Sequence, residues 1–137
     1  MPYTLFDHTA DLGLRMRADD LGGLFAEAAA ALFAAIVANP ETIRPVVTST
    51  LQLEGTDREY LLFDWLAELL YRFDSEGLLG CRFDVQVDDT GLRATVAGEP
   101  VDRQRHELER EVKAITYHGL KVTEENGGWL AEVIVDI

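Results

Sequence analysis

The sequence predicts an α+β protein: a mostly antiparallel β-sheet with two main helices packed on it, in a single domain over residues 1–137. Three observations predict it. Apolar and polar residues alternate with period two over most of the chain. Two glycine-containing turns, Asp88-Asp89-Thr90-Gly91 and Asn126-Gly127-Gly128, separate such runs as hairpin turns do. The helical stretches come early instead of between successive strands, which argues against a parallel α/β sheet. No repeat, low-complexity tract or linker divides the chain.

The elements follow in order. Leu12, Leu14, Met16 and Ala18 face one way and Arg15 and Arg17 the other, so a strand follows the N-terminal segment. Leu21, Leu24, Phe25, Ala28, Leu32 and Ile36 then recur at steps of three and four, the spacing of a helix face. Asp19 or Asp20 caps that helix, and Asn39-Pro40 ends it. Its other faces are mostly alanine, which predicts a central helix approached closely by its neighbours. Leu51 and Leu53 mark a strand that Pro45 confines to an edge or to a later start. Thr56-Asp57-Arg58-Glu59 reads as a capping box opening a second helix, with Leu62, Trp65, Leu66, Leu69, Leu70 and Phe73 as its apolar stripe and Ser75-Glu76-Gly77 as its end. Cys81, Phe83, Val85 and Val87 pair through a turn with Leu92, Ala94 and Val96, and Gly119–Thr123 pairs with Trp129–Asp136.

Composition excludes several function classes. There are 25 acidic against 12 basic residues, a net charge of −13, so an extended groove for nucleic acid is not expected. Leu21–Ala38 is the stretch to test as a membrane span, but its alanines contribute little transfer energy and it carries Glu27. No targeting segment is read at the start, and the expected compartment is the cytoplasm. A lone cysteine excludes an internal disulfide and multi-cysteine metal sites. Cys81 itself, on an apolar strand face, is read as a buried structural thiol. Neither Ser49 nor Ser75 sits in an elbow-like sequence, and Gly22-Gly23 lacks the spacing of a phosphate loop. Asp64 and Glu68 share a helix face with Arg72 and read as a solvated face with a Glu68–Arg72 pair. The run His106–Glu111 reads as an exposed segment.

Two places carry chemistry. Asp7-His8-Thr9-Ala10-Asp11 packs two carboxylates and an imidazole into five residues, although an Asx turn accounts for the same pattern. The chain stops at Asp136-Ile137 directly after an apolar strand, so a side-chain and a main-chain carboxylate lie one residue apart. If Asp11 packs beside that strand end, three carboxylates converge and repel unless a cation or protons neutralise them. Oxygen ligands select a hard ion such as Ca²⁺ or Mg²⁺. The other reading is an exposed, frayed terminus. Lys113 is one of only two lysines beside ten arginines, a reason to read it as a chosen point charge or as a snorkelling side chain.

Four segments together resemble the archease family: Asp7-His8-Thr9-Ala10-Asp11-Leu12-Gly13, Leu61-Leu62-Phe63-Asp64-Trp65-Leu66-Ala67-Glu68-Leu69-Leu70-Tyr71, Val112-Lys113-Ala114-Ile115-Thr116-Tyr117-His118 and Val135-Asp136-Ile137. They stand in family order from residue 3 to the last. The resemblance implies a small α+β protein that is not itself an enzyme. Its implied role is to assist the GTP-dependent RNA-splicing ligase of the RtcB type, which joins tRNA halves, by promoting guanylylation and repeated turnover. It further implies a divalent cation, Ca²⁺ first and Mg²⁺ or Mn²⁺ next, at Asp11, Asp136 and Ile137. Lys113 is implied to activate the partner, and His8 is expected to orient Asp11 or touch the ligase. Two alternatives stand beside it: a metal-dependent phosphoester hydrolase using Asp11, Asp136 and His8, and a chaperone-like RNA-processing interaction module.

Overall fold

The computed structural model describes residues 2–8 and 11–137, and for His8 the backbone alone. The Thr9-Ala10 part of the N-terminal motif therefore lies outside the described residues. The elements are β1 (Tyr3–His8), β2 (Asp11–Ala18), α1 (Leu21–Ile36), β3 (Val47–Glu54), α2 (Arg58–Glu76), β4 (Leu78–Asp88), β5 (Gly91–Pro100), β6 (Ala114–Ile115), β7 (Lys121–Glu125) and β8 (Gly128–Asp136), with a 3₁₀ turn at Pro40–Thr42. All strand pairings are antiparallel. They form a five-stranded sheet in the order β1-β2-β8-β6, with β7 also on β8, and a three-stranded sheet β3-β5-β4. The α+β expectation holds.

The alanine-rich α1 packs on β4 of one sheet and β2 of the other. Ala28, Ala29, Ala31 and Ala35 are fully buried along it, which lets both sheets come close. Gly22 takes this furthest, because a Cβ there would run into the Val85 carbonyl of β4. Trp65, also fully buried, ties α2 to α1 by donating its indole N–H to the Phe25 carbonyl at 2.9 Å. Among the described residues no helix is long and apolar enough to cross a membrane.

Local signals account for most boundaries. Asp20 caps α1, its side chain accepting from the Gly23 amide at 2.6 Å, so the Gly23 N–H serves the helix's own cap. Gly77 closes α2 in the left-handed region at φ 71°. Asn126 and Gly127, both at positive φ, make the tight β7–β8 turn. Pro45 leaves β3 as an edge strand starting at Val47.

Four expectations need correction. The α2 cap is Asp57 and not Thr56: its carboxylate accepts from Glu59 and Tyr60, and Glu59 instead reaches across to the Val122 amide at 3.1 Å. Helix α1 ends at Ile36, three residues before Asn39-Pro40, because Val37 bridges to Leu108. Cys81 is half-buried, not buried, since the β4–β5 register skips it in a bulge between Gly80 and Arg82. Burial still pushes its thiol pKa up, with Arg82 opposing and Glu99 adding. The run at His106–Glu111 is not simply exposed: His106 is 2% accessible and Leu108 half-buried.

That run belongs to an irregular crossover from β5 to β6, held at both ends of its path. Glu99, 4% accessible, accepts from Arg105 Nη2 at 2.5 Å, the Arg44 amide at 2.8 Å and His106 Nε2 at 2.9 Å. His106 Nδ1 accepts from the Asp102 amide, so its proton sits on Nε2 and the ring is neutral. Glu109 N–H and the Arg110 guanidinium donate to the Ile36 and Ala35 carbonyls, closing the C-terminus of α1.

Two measurements check these assignments. Asp57→Ala should cost about 1 kcal/mol of stability in urea unfolding, whereas Thr56→Ala should cost much less. Burial works against the Glu99 charge, but hydrogen bonds from Arg105, the Arg44 amide and His106 outweigh it and hold its pKa at about 2 against 4.5 for a free carboxyl. Its contribution is therefore complete above about pH 4.5 and lost as pH falls towards 2. Glu99→Gln should be less stable than wild type at pH 7, with the gap closing between pH 4.5 and 2.

Candidate functional site

The register of β2 on β8 builds the site. Leu12, Leu14 and Met16 lie opposite Val135, Val133 and Ala131, all of them buried. On the other face Arg15 lies opposite Glu132, with Nε to Oε2 at 2.6 Å and the guanidinium 4.6 Å from the Phe6 ring. A slip of one residue would put Arg15 and Glu132 into the core, so both faces fix one register. That register sets Asp11, the first residue of β2, directly opposite Asp136, the last of β8.

The same row continues on either side. The His8 backbone pairs with Asp11 through β1, and Ala114 pairs with Asp136 through β6. The Lys113 amide donates to the Asp136 carbonyl at 2.7 Å, and the Lys113 side chain is exposed. Asp11, the His8 backbone, Lys113, Ala114 and Asp136 thus converge from three parts of the chain. The His8 imidazole lies outside the described residues.

Directly opposed residues carry their Cβ atoms about 5 Å apart on one face, so the half-buried Asp11 and Asp136 set two carboxylates side by side. Among the described residues, no group of three or more His, Cys, Asp or Glu side chains is placed to hold a metal. A cation here would need further oxygens, from the main chain or from water. Carboxylate and main-chain oxygens are the donors hard cations take, and Ca²⁺ accepts six to eight of them in flexible geometry. The residues present therefore fit such an ion as an open, partly filled set.

Other candidates stay apart from this row. Arg72 pairs with Glu68 at 2.9 Å and donates to Ser49 Oγ, consistent with a structural face on α2. Ser75 Oγ donates to the Tyr71 carbonyl one turn back. What the sequence did not single out is a ring cluster: Phe63 of α2 stacks on Tyr117 with centroids 4.0 Å apart, and Tyr60 meets Tyr117 edge-on at 5.5 Å. The available signal was that Phe63 and Tyr117 belong to separate motifs, but contact between the two could not be read from spacing.

Fold and site define a class: a small two-sheet α+β protein with two aspartates facing each other at strand ends beside a lysine. Residues 3–137 match the Archease protein family (MTH1598/TM1083), and the chain belongs to that family. It is 38% identical to "Protein archease" of Methanopyrus kandleri over all of both chains. It is 41% identical to that of Pyrococcus furiosus over 96% of each. The solution structure of protein 1598 of Methanobacterium thermoautotrophicum superposes with a TM-score of 0.88 at 34% identity, covering 99% of both chains. A Thermotoga maritima crystal structure described as "an archease, possible chaperone" shares the fold, with a TM-score of 0.64 at 20% identity over 96% of this chain and 94% of that one.

Facing like charges cost about 0.2–1 kcal/mol on a strand pair. Asp136→Asn should therefore be as stable as wild type or more so, by up to that amount, when unfolded with urea in EDTA.

Proposed function

We propose that this protein is a protein cofactor of the GTP-dependent RNA-splicing ligase of the RtcB type. It promotes guanylylation of the ligase and its repeated turnover in tRNA splicing and RNA repair, and is not itself an enzyme. The observation that carries this reading is the single cross-strand row in which Asp11 and Asp136 face each other beside Lys113. Membership of the archease family supports it, and residues from three of the segments that carry the resemblance meet in that row.

In this reading Asp11, Asp136 and the carboxylate at Ile137 hold a divalent cation, Ca²⁺ first among the candidates, with Mg²⁺ or Mn²⁺ as the others. The ion, when bound, supplies positive charge that neutralises the facing carboxylates and polarises phosphate oxygens. The carboxylates also restrict where the ion sits, being fixed by two strands and not by a loop. Lys113 presents a mobile ammonium beside the row, suited to the phosphates of the ligase's GTP. His8 is assigned to orient Asp11 or to contact the ligase. The charge of −13 steers the protein towards a basic partner, an effect that weakens as salt rises.

The test is a guanylylation assay of the cognate ligase. Asp11→Ala and Asp136→Ala should lower stimulation by at least about tenfold, on the scale of losing one preorganised charge, and should abolish the rise in melting temperature that Ca²⁺ gives wild type. Lys113→Ala should lower stimulation with that rise intact. Full activation by a chain lengthened after Ile137 would remove the terminal carboxylate from the set. Phosphoesterase turnover by the pure protein that is lost in Asp11→Ala would replace this reading with a hydrolase. Action on unfolded clients or RNA, unaffected by Asp11→Ala, would replace it with a chaperone-like module.

A further inference from the structure

We infer that Tyr60, Phe63 and Tyr117 form a docking surface for an arginine-bearing segment of a partner protein. The inference rests on the reading above only in taking the ligase as that partner. Tyr117 lies flat on Phe63, the planes 8° apart, and Tyr60 stands against it at 78°. Phe63 is half-buried and joins the pair to the core, whereas Tyr60 and Tyr117 are 58% and 56% exposed. Two large aromatics are thus held in fixed orientation with much of their area in water. They add little to the core, and tyrosines presented this way are enriched at protein interfaces.

Charge selects the occupant. Tyr60 shares an exposed α2 face with Asp64, one turn on, and Asp57 lies one turn back. The cation nearest in the chain, Arg58, is turned away, its guanidinium 4.9 Å from the Trp129 ring. Lys121 stands in register opposite Glu132 across β7–β8, and the exposed Lys113 lies at the Asp136 end of β6. Electron-rich ring faces beside carboxylates suit a guanidinium, which stacks on the ring while its N–H groups reach the acids. A phosphate backbone is repelled by the same acids, and a second copy of this chain brings its own −13.

Position links this surface to the carboxylate row. Tyr117 lies two residues beyond β6, the outermost strand of its sheet, and Ala114 of β6 faces Asp136. Three residues of chain, spanning at most about 10 Å, separate the two places along one edge. A partner that reaches Asp11 and Asp136 along this edge would also cover the tyrosines.

The experiment measures ligase binding by wild type, Tyr60→Ala/Tyr117→Ala and Tyr60→Phe/Tyr117→Phe, with melting temperature and its rise in Ca²⁺ as controls. The alanine pair should bind at least tenfold more weakly with an unchanged Ca²⁺ response, the phenylalanine pair should stay near wild type, and Asp64→Asn should flatten the salt dependence. Equal binding by the alanine pair overturns the docking surface and leaves the helper role standing. No binding by wild type overturns both. An alanine pair that loses binding to a single-stranded oligoribonucleotide while keeping the ligase overturns it in favour of a base-stacking platform.

Discussion

The β2–β8 pairing is the constraint on which the rest depends. Its inner face is an apolar ladder and its outer face carries the Arg15–Glu132 pair under Phe6, so neither face tolerates a shift of one residue. β1 hangs from one side of this pair, and β6 and β7 from the other. Once the register is set, the positions of Asp11, Asp136 and Ala114 follow without any further specification. Two like charges are brought face to face by a register that the apolar ladder and the Arg15–Glu132 pair determine. Such local conflict inside a well-determined sheet is where selection for something other than stability is to be sought.

Lys113 reaches the row by a different route. Between β5 and β6 the chain runs from 101 to 113 with no regular structure. Its backbone groups need partners all the same. Glu99 gathers two arginines and a neutral His106 at one end of the crossover, and the last carbonyls of α1 receive Glu109 and Arg110 at the other. The Lys113 amide then closes on Asp136. A buried carboxylate is tolerated here because Arg105, the Arg44 amide and His106 all donate to it; removing Glu99 would strand those donors. The cluster is remote from the row in sequence, but it anchors the segment that delivers the lysine.

Legibility in the sequence followed the range of each interaction. Strand alternation, the helix stripes, the two hairpin turns and the Asp20 and Gly77 caps depend on neighbours a few residues apart, and they could be read. Thr56 was misread as the cap because Asp57 offers the same chemistry one residue later, and only the conformation of the chain decides between them. His106 was misread because a charge run has no period that marks an inward residue, and its partner Glu99 lies on another strand. Asp11 and Asp136 could be named from their chemistry, but their meeting depends on the same long-range strand pairing that joins Arg15 to Glu132, 117 residues away in sequence. The Phe63–Tyr117 contact joins α2 to the far side of β6 and left no local trace.

A site made at strand ends differs in kind from a cleft. Two facing carboxylates cannot satisfy the six to eight oxygens that a calcium-sized ion takes, so on the proposed reading the remaining positions belong to water or to the partner. The same openness that would make the ion weakly held by this chain alone lets a second protein complete its coordination. Binding of partner and ion would then be coupled, each raising the affinity for the other by an equal factor. Enzymes enclose their chemistry by burying it. Here Lys113 and two tyrosines stand exposed along one edge beside the half-buried carboxylate pair, an arrangement that makes physical sense when the enclosing walls are supplied by another molecule.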